Sequence, residues 1–156
     1  EWARLIVQWA LSSFANRDGA RPYIDAAEHL FARAVDDAWN ADGAEGLVYT
    51  TDWNGMPVVT DRMHWTAAES LNTAATLHAA TGEARYADWY ATFARYVDEH
   101  VIDHEGGSWF HQLDGGNHVI GTVWPGKSDL YHAFQSTLIP FLDPAVSIAT
   151  AVKNAE

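Results

Sequence analysis

Four short stretches of this chain gather side chains that can do chemistry. WPGKSDLYH, residues 124–132, places Trp124, Lys127, Asp129, Tyr131 and His132 on the approach to an apolar helix. A histidine in a helix's first turn can reach the helix mouth and move a proton near neutral pH. The competing reading is a hydrogen-bonded structural histidine. Asp129, three residues earlier, has the side chain and spacing of a helix cap. RMHWTAAE, residues 62–69, carries Arg62, His64, Trp65 and Glu69. Trp65 offers a flat face for the C–H side of a pyranose ring, and Glu69, about one turn on, can orient a neighbour. The alternative there is a helix start with an ordinary ion pair. Trp109, His111, Gln112 and Asp114 fall in an alternating stretch, where Gln112 can bond a hydroxyl unless the hairpin is merely solvated. His100 and His104 have the i,i+4 spacing of a metal pair, but they sit at a helix end without a telling third ligand. The helix dipole accounts for histidine there, so no metal is expected. GxSxG, HExxH and phosphate-cradling glycine motifs are absent.

Composition narrows the field. The chain has 156 residues, 48% of them hydrophobic, which suits one domain with a real core. Its formal charge of −12 repels nucleic acid and anionic membranes. With no cysteine, a disulfide scaffold, a thiol nucleophile and a Cys zinc site are excluded, and a cytoplasmic setting fits. No apolar run has the length of a membrane span. Eight Trp and eight His are many for this length and suit a sugar-handling surface.

The elements that must hold these residues read mainly as helices. Residues 1–15 form an apolar helix expected to be buried on several sides, broken by NRDGARP. Residues 23–41 are amphipathic. LVYT and PVVT flank Asn54-Gly55 as a β-hairpin. A small-residue helix over 66–82 stops at Gly82, and 83–103 is amphipathic again. Residues 106–121 read as a second hairpin and 129–142 as a helix. Asp143-Pro144 is expected to open a last one.

These elements repeat at about sixty residues as helix, helix, hairpin, with Gly46 matching Gly107, Asp52 matching Asp114 and Gly55 matching Gly116. The pattern fits an all-α toroid. Its inner helices start at one mouth, its hairpins lie over that mouth, and an incomplete ring bares apolar surface that favours dimerisation. Glu1, Trp65 with Glu69, and Asp129 with His132 would lie near inner-helix starts, which favour oxyanions and hydroxyls.

Together, EWARL, YTTDWNGMPVVTDRMHW, AAESLNTAATLHAATGEARYADW and GGSWFHQLD with WPGKSDLYHAFQSTLIP resemble the N-acylglucosamine 2-epimerase family, nearest its aldose–ketose isomerase branch. The resemblance covers nearly the whole chain. It implies an (α/α)6 barrel, with residues 1–156 as a single partial domain, its C-terminal part. It further implies cofactor-free and metal-free proton transfer between C1 and C2 of an opened sugar through a cis-enediol. Two histidines serve as acid and base in that family. One maps onto His132. The other belongs to a His-x-x-Glu motif whose Glu matches Glu1, so that histidine would precede Glu1 by three positions. The barrel's first part would also lie outside this sequence, and the chain alone is then expected to be inactive. By the same resemblance, Trp65, Gln112, His64 and Asp129 line the sugar pocket.

Other readings remain open at this level. A 2-epimerase would return the proton to C2. A non-catalytic helical module would bind carbohydrate or protein. A glycoside hydrolase would need a carboxylate pair such as Asp52 and Asp114, though both sit where hairpin turns favour Asp. A sulfonated sugar would need a cation, for which Arg62 and Lys127 are candidates.

Overall fold

The structure is a computed structural model and describes residues 1–155. Helices dominate: α1 (Trp2–Ser13), α2 (Arg17–Ala38), α3 (His64–Thr81), α4 (Ala84–Tyr96), α5 (Leu130–Leu138) and α6 (Ile148–Asn154). The strands are short: β1 (Thr50–Thr51), β2 (Pro57–Val59), β3 (Arg62–Met63), β4 (Gln112–Leu113) and β5 (Val119–Ile120). α1 packs against α2, α3 against α4, and α3 also touches α1 and α5. The inner row is therefore α1, α3, α5, with α2 and α4 outside it.

Sequence explains why α3 is central. Ala67, Ala68, Ala74 and Ala80 let neighbouring helices approach on several sides, and Leu71 and Leu77 fill what remains. Gly82, at φ 74°, ends the helix in the left-handed region, its N–H bonded to the carbonyl of His78. α1 differs from expectation. It buries only the stripe Ala3, Arg4, Val7 and Ala10, and leaves Trp2 and Trp9 exposed, Trp9 meeting Phe14 and Tyr23 of α2 edge to face.

Two boundaries are corrected. NRDGARP does not separate α1 from α2 by a long break, since Asn16 caps α2 by accepting from the Gly19 N–H at 2.9 Å. Gly19 permits this tight entry, as a Cβ there would lie 2.7 Å from the Phe14 ring. Asp143 does not open a helix. It accepts from Ala145 N–H in a turn, and α6 starts five residues later, at Ile148, under a Ser147 cap.

The sixty-residue repeat is written in the backbone. Asp52 Oδ1 accepts from the N–H groups of Asn54 and Met56, and Asp114 Oδ1 accepts from those of Gly116 and His118. The turns then close by Gly55 N–H to Asp52 C=O and by Asn117 N–H to Asp114 C=O. Asn117, at φ 63°, is thus the counterpart of Gly55, correcting the match to Gly116. Trp39 bridges Leu47 as Ile102 bridges Trp109. One detail differs: Trp39 N–H bonds Val35 C=O, four residues back, whereas Ile102 N–H bonds Val97 C=O, five back, through a π turn at Val97–Val101. The sheets differ too. β1 pairs only with β2, while β4 lies between β5 and β3, so the segment leading into α3 joins the second hairpin.

Candidate functional site

β3 runs straight into α3, and its pairing with β4 fixes where α3 begins. His64 N–H bonds His111 C=O at 3.2 Å, which draws the imidazole inward until it is 1% exposed. Its Nε2 lies 2.8 Å from Asp129 Oδ2. Asp129 caps α5 by accepting from His132 N–H at 2.9 Å, and both its oxygens lie 3.2 Å from His132 Nδ1. One carboxylate therefore starts a helix, holds a buried histidine and orients a second histidine. The two imidazoles meet edge to face with centroids 5.7 Å apart.

The electrostatics follow from burial and hydrogen bonding. Burial pushes the His64 imidazole below its ordinary value, against the pull of Asp129. His64 is neutral at pH 7 and donates its Nε2 proton to Asp129. Burial works to raise the Asp129 carboxyl, but hydrogen bonds from the His132 backbone, the His132 ring and His64 outweigh it and hold it well below the usual carboxylate range. Asp129 is thus a fixed anion facing His132 Nδ1. Among the described residues His132 Nε2 has no protein partner, and it is the free end of a ring clamped at its other nitrogen. Ligand atoms of His64, Asp129 and His132 all fall within 4.8 Å of one another, close enough for a cation.

Aromatic rings surround this cluster. Trp65 meets His64 and His111 edge on, and Trp124 stacks on His111 at 5.6 Å and 10°. Gln112, placed in the pocket by sequence, is wholly buried. Its amide N donates to Asp61 at 2.6 Å and Thr122 at 3.0 Å, and its carbonyl accepts from the N–H groups of Val123 and Trp124. It pins the loop that carries Trp124. Glu1 lines a cavity of about 420 Å³ between α1, α2, α3 and the segment 47–49 that leads into the first hairpin; its walls include Trp65, Tyr49 and Glu69 and no histidine. Glu69 is committed to Arg4 by a buried two-point ion pair at 2.9 and 3.0 Å.

The cationic candidates for a sulfonate are also spent. Arg62 is 2% exposed and grips Asp42 at 2.7 and 2.8 Å, with further bonds to the carbonyls of Thr60, Ala44 and Glu45. Lys127 bonds Asp103 and lies 4.5 Å over the Phe110 ring. His104 Nε2 bonds Asp98 C=O, and His100 clusters with Glu45 and Glu99 rather than His104.

The family model for N-acylglucosamine 2-epimerase (GlcNAc 2-epimerase) matches residues 1–136. The chain belongs to the N-acylglucosamine 2-epimerase family. Within that family it is 46% identical over its whole length to a D-mannose isomerase of Pseudomonas cannabina pv. alisalensis, and 42% identical over 97% of it to a D-mannose isomerase of Thermobifida fusca. It spans 38% and 37% of those relatives' lengths. A solved D-mannose isomerase superposes over 90% of this chain and 36% of its own, with TM-score 0.73 at 26% identity. A cellobiose 2-epimerase from Spirochaeta thermophila shares the fold over 97% of this chain and 40% of its own, with TM-score 0.69 at 13% identity.

Sequence reasoning grouped Asp129 with His132 because three residues separate them. It missed the link to His64, 65 residues away, and the His111–Trp124 stack. The signal for both was the pairing of β3 with β4, which no local period announces.

Proposed function

We propose that this chain supplies part of the site of an aldose–ketose isomerase of the mannose–fructose type. His132 is one of two groups that move the proton between C2 and C1 through a cis-enediol. The observation that carries this is the clamp of His132 Nδ1 on the anionic Asp129, which leaves Nε2 free toward substrate. Such a ring can take a proton from carbon and return it, while the fixed anion stabilises the imidazolium that forms between the two steps. His64 holds Asp129 in place from beneath. Trp65 and the His111–Trp124 stack offer apolar faces to a sugar ring. Gln112 acts through the loop it pins. Glu1 would meet the opened sugar from the side of α1, and the second acid/base would come from the part of the full-length relatives that this chain does not span. Higher identity to the mannose isomerases than to the solved cellobiose epimerase favours isomerisation over 2-epimerisation.

The test is a chimera in which this chain replaces its matched region in the Pseudomonas relative. With mannose in heavy water it should yield fructose carrying deuterium at C1. Glucose as the first product would instead assign a 2-epimerase. His132→Asn should lower turnover by about 10²–10⁴-fold with the fold intact. Full activity in that variant would remove His132 from the chemistry.

A further inference from the structure

Two groups of histidine and carboxylate side chains lie close enough to hold a metal ion, and they differ in what already occupies them. In the group Glu45, Glu99 and His100, Arg95 bonds both carboxylates, so its guanidinium already supplies the cation. In the group His64, Asp129 and His132, the side chains that meet the carboxylate are imidazoles, and among the described residues no lysine or arginine bonds it. Asp129 Oδ2 lies 2.8 Å from His64 Nε2 and 3.2 Å from His132 Nδ1, and the ligand atoms of all three fall within 4.8 Å of one another. Bonds of about 2.1 Å around a tetrahedral zinc ion set neighbouring ligand atoms about 3.4 Å apart. Both of those gaps reach that spacing by opening a fraction of an ångström.

The surroundings suit such a site. Asp129 Oδ1 accepts from the His132 N–H, so α5 keeps its cap while Oδ2 takes the metal. His64 Nδ1 lies 3.4 Å from His111 C=O, and a carbonyl at the far nitrogen is the partner that orients a metal-bound histidine. The His64 side chain is closed to solvent, whereas those of Asp129 and His132 are partly exposed, which leaves an entry path and a fourth position for water. Two nitrogens and one carboxylate suit zinc, and not magnesium or calcium, which take oxygen ligands.

We propose that His64 Nε2, Asp129 Oδ2 and His132 Nδ1 form an inhibitory zinc site. Zinc replaces the proton on each of the two nitrogens, and within each ring that proton moves to the other nitrogen, Nδ1 of His64 and Nε2 of His132. Nε2 of His132 is then protonated and has no lone pair to take a proton from carbon, and Asp129 is bound to the metal. That consequence for turnover rests on the isomerase reading above; the binding does not.

The chain, stripped with EDTA, is titrated with zinc chloride by calorimetry near neutral pH and followed by nitrogen NMR of its histidine rings. One zinc per chain should bind, and His64 should change from the Nε2–H to the Nδ1–H tautomer. Asp129→Asn, which can still cap α5, and His132→Asn should each weaken binding at least about tenfold, and His100→Gln should leave it unchanged. Absence of saturable binding, an affinity unmoved by the first two variants, or a His64 ring that keeps its Nε2 proton would overturn the site. In the chimera, zinc at the concentration that fills the chain should lower mannose turnover at least about tenfold, and EDTA should restore it. A chimera that turns over at its full rate in that zinc would overturn the inhibition. A chimera inactive without zinc would count against the isomerase reading, while the titration still decides the site.

Discussion

The two repeats share a hairpin turn and little of what lies beneath it. The second is closed: Arg62 ties β3 to Asp42 and to the carbonyls of the loop before the first hairpin, and the segment it belongs to lies on β4. The first is open at the matching edge and holds a cavity instead. The second hairpin is therefore completed by the strand that enters α3, the inner helix of its own repeat. That strand also positions His64, so closing a repeat and building the histidine cluster are one act of packing.

The comparison breaks most visibly at Arg62. Arg62→Ala leaves Asp42 and several carbonyls without their donor, and is expected to cost about 3–5 kcal/mol in urea unfolding. A loss under about 1 kcal/mol would mean that strand pairing alone closes the second repeat. Gly46 sharpens the contrast. Its counterpart in the second repeat is Ser108, at φ 64°, since Asn40 N–H bonds Gly46 C=O as Asp103 N–H bonds Ser108 C=O. A Cβ at Gly46, φ +114°, would lie 2.7 Å from Tyr96 Oη and 2.8 Å from Arg62 Nε, whereas one at the neighbouring Gly107, φ +71°, meets nothing within 4 Å. Gly46→Ala should cost about 2–4 kcal/mol, and Gly107→Ala only the backbone penalty of about 1–2 kcal/mol. Equal losses would show that the close approach at Gly46 relaxes freely.

The pH dependence tests the cluster that the second repeat assembles. His64 has a folded value below its unfolded one, so the unfolded chain takes up the proton more readily. Stability should fall as pH drops below about 6.5, and His64→Gln should remove that slope. Asp129 is shifted down as well, and its contribution is present above about pH 4 and lost as pH falls further. The smallest effect is expected from Asp52→Ala and Asp114→Ala. They cap the same turn with the same two bonds and should lower the melting temperature by similar small amounts.

What the sequence disclosed depended on range. The Asp129 cap, the Gly82 stop and the Asn54-Gly55 hairpin are local, set by side chains within four residues of their partners, and the structure has all three. The helix pairing followed from small-residue and amphipathic patterns. The α2 start was hidden because Pro and Gly read as breakers, although Gly19 lies in the capped first turn and Pro22 is carried inside the helix. Residue chemistry alone did not disclose the protein partners of Arg62 and Gln112. Arg62 grips Asp42, and Gln112 bonds Asp61, Thr122 and the backbone of Val123 and Trp124. The apolar α1 implied burial on sides where, within the described residues, Trp2 and Trp9 stand exposed.

The π turn at Val97–Val101 bears on how the two copies diverged. Ile102 reaches back one residue further than Trp39 does, and the loop from Ile102 to Trp109 is one residue shorter than that from Trp39 to Leu47. An insertion in the helix and a deletion in the loop thus cancel, and Asp114 arrives in the same phase as Asp52. Any alignment of the halves must carry this pair of indels together. Deleting one residue from the π turn alone would shift the frame of everything up to β4 and turn His111 away from Trp124.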